Sequence, residues 1–317
     1  MARMAVVAAA LLASACATAP VGTPSSEPQD IRIAGTGVYP ESVTSDEAGN
    51  VYVGSMSGTI YRAQPGSAVA EPWIRPNEAN GLISLFGVLV DERHDRLWTC
   101  SNPNSFAPGG PTGGSSLVAF DLATGDIAAR YPFPAGPAAC NDIAVAPDGT
   151  VFATETSGGR IFSLAPGDDA LEQFAAGENL IGVDGIAFAD DGTMYINNVR
   201  SNRVQRVNRN AGGDYAGITD LALSQPVSGP DGLRPVGGSR FLQAEGSGGR
   251  VALITVEGDR ATVTPVATGL DSSPGVTRVG SIGYVTEGKI GYLIDPALQG
   301  QDPGDFYIRA FTLPEGL

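Results

Sequence analysis

Four oxygen-bearing side chains, Glu41, Asn141, Asp184 and Asp231, recur at one equivalent position of an internal repeat. Carboxylates and amide carbonyls are the ligands of hard cations, which gather about six to eight oxygens. A cation held this way polarises carbonyl groups and stabilises developing oxyanions. Taken singly, each residue has an ordinary role: Asp-Gly before a strand is turn chemistry, Asn141 satisfies backbone at a strand start, and Glu41 is solvated. Register separates the two readings, because four independent turns have no reason to place acceptors at the same point.

That register comes from a period. A small residue opens each unit at Ser42, Gly87, Asp142, Gly185, Gly232 and Gly275, each followed by an aliphatic residue, at spacings of 45, 55, 43, 47 and 43. The unit is clearest in GVDGIAFADDGTMYINNVRSNRVQRV, Gly182 to Val207. Gly185 to Phe188 reads as a short apolar strand, Asp190-Asp191-Gly192 as a turn, Thr193 to Asn197 as a second strand, and Val204 to Val207 as a third. Short apolar runs between Asp-Gly and Ser-Asn signals are antiparallel strands joined by tight turns. Six strand-rich units with almost no helical periodicity predict an all-β chain, a six-bladed β-propeller with four-stranded antiparallel blades. The residue before each small one is Glu41, Phe86, Asn141, Asp184, Asp231 or Pro274. In a propeller these positions form one ring at one mouth of the channel.

Pro40-Glu41-Ser42-Val43, Asn141-Asp142, Asp184-Gly185-Ile186 and Pro230-Asp231-Gly232-Leu233, in that order and spacing, resemble the SMP-30/gluconolactonase/luciferin-regenerating-enzyme-like family, related to the paraoxonases and diisopropyl fluorophosphatase. The resemblance implies a divalent cation, usually calcium, with zinc, magnesium and manganese left open, and hydrolysis of lactones or related esters. Glu41, Asn141, Asp184 and Asp231 match the family's metal-ligand positions, and Asp231 its general base or nucleophile. Two departures bear on the substrate: Asp184 stands where the family usually has Asn, and Ala139 where the sugar-lactone branch tends to have Arg. Two other readings are a non-catalytic propeller binding a ligand or protein around a structural metal, and a strictosidine-synthase-like condensing propeller, whose ring would lack this acceptor set.

Further positions surround the ring. Glu155, Asn198 and Glu245 recur twelve residues beyond the first aliphatic residue and, with Asp142, are candidates to support the ligands or touch substrate. The long spacing of the second unit is taken up by SNPNSFAPGGPTGGSS, Ser101 to Ser116, on the ligand side, with Phe106 as its large apolar group. It is either a cover for the cleft or a plain surface loop. Cys100 and Cys140 fall near the same mouth, as a disulfide or as two buried thiols. The single histidine, His94, sits in a charged turn at the opposite end, which leaves no His dyad and no Ser-His-Asp triad at the ring.

Residues 1–15 read as an export signal: Arg3, an apolar run from Met4 to Leu12, and the small residues Ala13-Ser14-Ala15. Cys16 follows, so the mature protein is either a lipoprotein anchored in a membrane from the periplasmic side or a plainly secreted one. Residues 16–30, rich in Pro, Ser and Thr, form a flexible tether, and residues 31–317 a single propeller domain. A net charge of −15 with one lysine, Lys289, speaks against a nucleic-acid surface.

Overall fold

The computed structural model describes Met1 and residues 28–104, 114–134 and 138–317. The rest of the leader, the tether up to residue 27 and Phe106 lie outside the described residues. The chain is all-β. Among the described residues there are, beyond the strands, two 3₁₀ turns and one short helix, Gly291–Ile294.

Three meanders form separate four-stranded antiparallel sheets, beginning with Ser84–Asp91, Cys140–Val145 and Val183–Phe188. A fourth, from Pro230–Pro235 to Arg260–Thr268, gains the two-residue strand Ala222–Leu223 in parallel at its outer edge. The remaining sheet has eight strands. One half is Pro40–Ser45, Val51–Ser55, Ile60–Ala63 and Val69–Ile74; the other is Val276–Val279, Ile282–Thr286, Phe306–Thr312 and the N-terminal strand Ile31–Ile33. The halves join where Arg32 and Ile33 pair in parallel with Val69 and Ala70. The strands that open the meanders touch one another in chain order, and the last, Val276–Val279, returns to the first, Pro40–Ser45. They close a ring around an axis.

Apolar faces of neighbouring sheets meet between the spokes of this ring. Leu117, Ile143 and Phe162 fill one such layer, and Leu233, Phe241 and Ile254 another. Each such side chain, fully buried, contributes roughly 1.5–3 kcal/mol. Adjacent sheets are therefore held edge-on to the axis by their own cores, and the first strands are pressed together at the centre.

That pressure explains the small residues. Register breaks occur in the first strands between Pro40 and Ser42, Leu85 and Val88, Cys140 and Ile143, Val183 and Ile186, and Pro230 and Leu233. Each break is a bulge, which turns a side chain out of the pleat. The ring residues thus lie within the first strands, where the sequence reading had put Asp-Gly in turns ahead of them. The glycines answer to close packing: a Cβ on Gly185 would sit 2.2 Å from the Asp231 carbonyl oxygen, and one on Gly87 2.3 Å from that of Asn141. Gly185→Ala should cost about 1–3 kcal/mol in urea unfolding; a midpoint equal to the parent's would remove this contact as the reason for the glycine. Where a side chain does occupy the position, it is used. Ser42 Oγ accepts from Val88 N–H at 3.2 Å, and Asp142 Oδ2 from Ile186 N–H at 3.1 Å, each binding one unit to the next.

Cys100 and Cys140 form a disulfide across 40 residues of chain, with Cα atoms 5.3 Å apart. It joins the second strand of one sheet to the residue preceding Asn141 in the next. Asn102 braces the same point, donating to Cys140 C=O at 2.7 Å and accepting from Cys140 N–H at 2.9 Å. Replacing both cysteines by serine should lower stability by about 2–4 kcal/mol. Denaturant melts of this variant and the oxidised parent check the value, and coincident curves would refute a structural role for the bond.

Candidate functional site: an acid ring at one mouth of the channel

The ring backbone is fixed from the preceding sheet. Thr154, on Val151–Glu155, donates through Oγ1 to Asp184 C=O at 2.6 Å and accepts from Asp142 N–H at 2.9 Å. One unit on, Asn197 accepts from Gly185 N–H at 2.8 Å and donates through Nδ2 to Asp231 C=O at 2.5 Å. Asp184 and Asp231 each sit at a register break whose freed backbone groups need partners. The second-strand Thr or Asn supplies them and so sets where the next acid stands. Thr154 and Asn197 were missed in the sequence because a β-branched or amide residue inside a strand carries no signal until its neighbour is known.

Of the side chains that the repeat register selected, Asn141, Asp184 and Asp231 are in contact, and Glu41 stands within range of their charge. Asn141 donates through Nδ2 to Asp184 Oδ2 at 2.8 Å and to Thr156 Oγ1 at 2.9 Å. Glu41 is 6% exposed, Asn141 8% and Asp184 3%, while Asp231 is only partly buried and faces solvent most. Burial is the main cause that pushes Asp184 well above the usual carboxylate range, followed by the Asp231 and Asp142 carboxylates. Asp231 is raised by burial and then by Glu41. Glu41 is raised by burial, then by Asp184 and Asp142, with Arg234 pulling it back. Asp184 Oδ1 is buried and has no donor to accept from; its neighbour is another acid, Asp231. Adjoining buried carboxyls need a shared proton or a cation between them.

A hard cation fits this ring in donor chemistry: three carboxylates, an amide that would offer its oxygen, and one carboxylate oxygen left without a partner. Among the described residues, no three of His, Cys, Asp and Glu gather at a spacing that would hold a metal ion. Asp184 is instead tied to Asn141 and to Asp231.

Beneath the ring lies a group that the sequence reading did not single out. Arg234 is 7% exposed and reaches across the axis from Pro230–Pro235. Its Nη1 donates to Asp142 Oδ2 at 2.8 Å and to Leu233 C=O at 2.9 Å; Nη2 donates to Val88 C=O at 3.2 Å and Ser42 Oγ at 3.4 Å. Asp142 is therefore spent on a buried ion pair that joins four of the units around the channel. The sequence did hold a cue, an arginine among the apolar residues of a first strand.

Glu155, Asn198 and Glu245 are placed away from the ring, in their own hairpins. Glu155 Oε1 accepts from Ala139 N–H at 2.9 Å and Ser157 N–H at 3.0 Å, and Oε2 from Arg160 Nε at 2.8 Å. Glu245 repeats this with Ser228 N–H at 2.8 Å and Arg250 Nε at 2.9 Å, and Asn198 accepts from Ser201 N–H at 2.9 Å. Their shared register reflects a repeated brace between the hairpin and the segment entering each sheet. His94 lies at the far end of the channel, its Nδ1 2.8 Å from Asp91 Oδ2.

Solved structures with the same fold include a gluconolactonase from Xanthomonas campestris, at 15% identity and TM-score 0.63 over 94% of this chain and 100% of that one. A luciferin-regenerating enzyme matches at 14% identity and TM-score 0.62 over 91% of this chain and 96% of its own. The chain shares the fold of the SMP-30/gluconolactonase-like proteins. A virginiamycin B lyase from Staphylococcus aureus, captured with quinupristin as a catalytically inactive His-to-Ala variant, also superposes, at 12% identity and TM-score 0.59 over 91% of this chain and 99% of that one. These neighbours are β-propellers, and one architecture carries unlike chemistries among them. The family model for the N-terminal part of strictosidine synthase-like proteins matches residues 29–63, a window that contains Glu41. No curated protein gives a significant sequence match.

Proposed function

We propose that this chain is a metal-dependent hydrolase of the SMP-30/gluconolactonase type, opening a lactone or related ester at a divalent-cation site in the channel of a six-bladed propeller. Six blades follow from dividing the eight-stranded sheet at its parallel joint, which leaves one first strand per unit around the axis. The observation that carries the functional reading is the Asp184–Asp231 contact, with Asp184 Oδ1 buried and lacking a donor. Glu41, Asn141, Asp184 and Asp231 would hold the ion, calcium by resemblance. When bound it would polarise the substrate carbonyl and stabilise the oxyanion.

The chain's own part is positioning and proton transfer. Asp231 is the base in this scheme, since it is the least buried of the three acids and its raised affinity for a proton suits accepting one from attacking water. Asn197 and the bulge at Gly232 hold its backbone in place. Glu41 and Asp184 carry charge, and Arg234 keeps Asp142 from joining them. A lyase reading drawn from the Staphylococcus enzyme lacks its histidine, because His94 stands at the other end. By its leader and Cys16 the protein works outside the cytoplasm, anchored through lipid or secreted.

The Asn141–Asp184 hydrogen bond, which fixes two of the four residues against each other, supports a second reading, a ligand-binding propeller with a structural cation. Elemental analysis of the purified protein, with a panel of aliphatic, aromatic and sugar lactones and aryl esters assayed with and without calcium, separates the two. Near-stoichiometric metal with calcium-dependent turnover supports the hydrolase. Bound metal with no turnover supports the second reading, and absence of both refutes the site.

A further inference from the structure

Asn141 stands in a gap of its own sheet. The ladder with Val151–Glu155 pairs Cys140 with Glu155, breaks, and resumes where Ile143 meets Ala153. A residue inside such a break takes its position from whatever holds its two neighbours. Asp142, after it, is held by Thr154, Ile186 and Arg234. Cys140, before it, is held from the preceding unit at three points. Its sulfur is bonded to Cys100, its N–H donates to Asn102 Oδ1 at 2.9 Å, and its C=O accepts from Asn102 Nδ2 at 2.7 Å. Ser115 Oγ, 2.7 Å from both Asn102 Oδ1 and Ala138 C=O, closes the brace. Cys100, Cys140, Asn102 and Ser115 are all buried.

The side chain between these anchors is aimed by its amide. Asn141 Nδ2 gives its two hydrogens to Thr156 Oγ1 and Asp184 Oδ2, which leaves Oδ1 as the atom for a cation. Thr156 passes the link on by donating to the C=O of Val183, the residue before Asp184, at 2.8 Å. A path of bonds thus runs from Cys100 through Cys140 and Asn141 to Asp184, across three units. Among the described residues, no other ring position is tied covalently to the neighbouring sheet.

We propose that the Cys100–Cys140 bond and Asn102 are positioning residues for the ring: they fix the backbone of Asn141 so that its amide oxygen and Asp184 Oδ2 stand at one cation. The part that concerns the cation rests on the hydrolase reading; the part that concerns the Asn141 amide does not. Outer partners of this kind are worth about 10- to 100-fold in metal affinity. Both cysteines are fully enclosed, so thiols in solution do not reach the sulfurs of the folded chain. The bond is a fixed brace and not a switch.

The test reads the Asn141 side-chain amide by heteronuclear NMR in chelator-treated protein, with its signals assigned by their loss in Asn141→Asp. The double variant C100A/C140A and, with the disulfide intact, Asn102→Ala should each move this pair of signals toward the free-amide position. Each should also weaken calcium binding about 10- to 100-fold in calorimetric titration. Phe241→Leu, which lowers stability from a different layer between sheets, should do neither. Where C100A/C140A does not fold, Asn102→Ala gives the answer, since its chain stays crosslinked. Amide signals unmoved in these variants, signals moved as far by Phe241→Leu, or parental calcium affinity in variants whose amide has moved would overturn the proposal. A parent that binds no calcium overturns the hydrolase reading, and the amide signals alone then decide this one.

Discussion

Asp231→Asn protein is expected to fold and melt close to the parent yet lose about 10²- to 10⁴-fold in kcat/KM on whichever lactone or ester the parent turns over. The substitution is nearly isosteric and leaves the Asp231 carbonyl bonded to Asn197 and the bulge intact. It removes one of the mutually repelling acids, which on its own would stabilise the metal-free protein. An amide cannot accept a proton from water at neutral pH, so the loss should fall on kcat more than on KM. Steady-state kinetics beside a denaturant melt checks both halves. Unchanged turnover removes Asp231 from the chemistry, and a collapsed melt would show that the acid is needed for the fold instead.

Chelation should lower the melting temperature, and calcium should restore it. At free calcium about a thousand times its dissociation constant, binding adds roughly 4 kcal/mol to stability. The pH dependence gives this a sign. Glu41, Asp184 and Asp231 all hold protons more tightly in the folded chain than in the unfolded one, through burial first and then each other's charge. Their contribution is fully present below the ordinary carboxylate range and drains away as pH rises through the folded values. Chelated protein should thus melt higher at about pH 5 than at about pH 8. Calcium competes with those protons, so its stabilising effect should grow as pH rises. Thermal melts at both pH values, with chelator and with calcium, test the scheme; a calcium shift that is absent, or that shrinks with pH, would count against a cation among these acids.

The repeat was legible because every unit must bury the same faces and bring the same strand to the axis. The positions of Glu41, Asn141, Asp184 and Asp231 followed from that register; the last three touch in the structure, and Glu41 reaches them through charge alone. Strand limits were less legible: Asp184 falls inside Val183–Phe188, because a bulge in mid-strand and a turn ahead of one both favour Asp-Gly. Glu155, Asn198 and Glu245 share a register for reasons of bracing, which spacing alone does not distinguish from ligation. Cys100 and Cys140 could be placed at one end of the molecule, but only the approach of two sheets brings their Cα atoms to 5.3 Å. Arg234 escaped notice because its partners, Asp142, Val88 and Ser42, come from three other units.

The parallel joint at Arg32 and Ile33 has a consequence for how the molecule is made. Ile31 and Ile308 are partners, and Asp30 is pinned by Arg309 at 2.8 Å. The circle therefore cannot shut until nearly the whole polypeptide has been delivered, and the earliest residues must wait, unpaired, for the latest. A chain synthesised from its amino end would stay an open string of hairpins and lock only when its last strand is made.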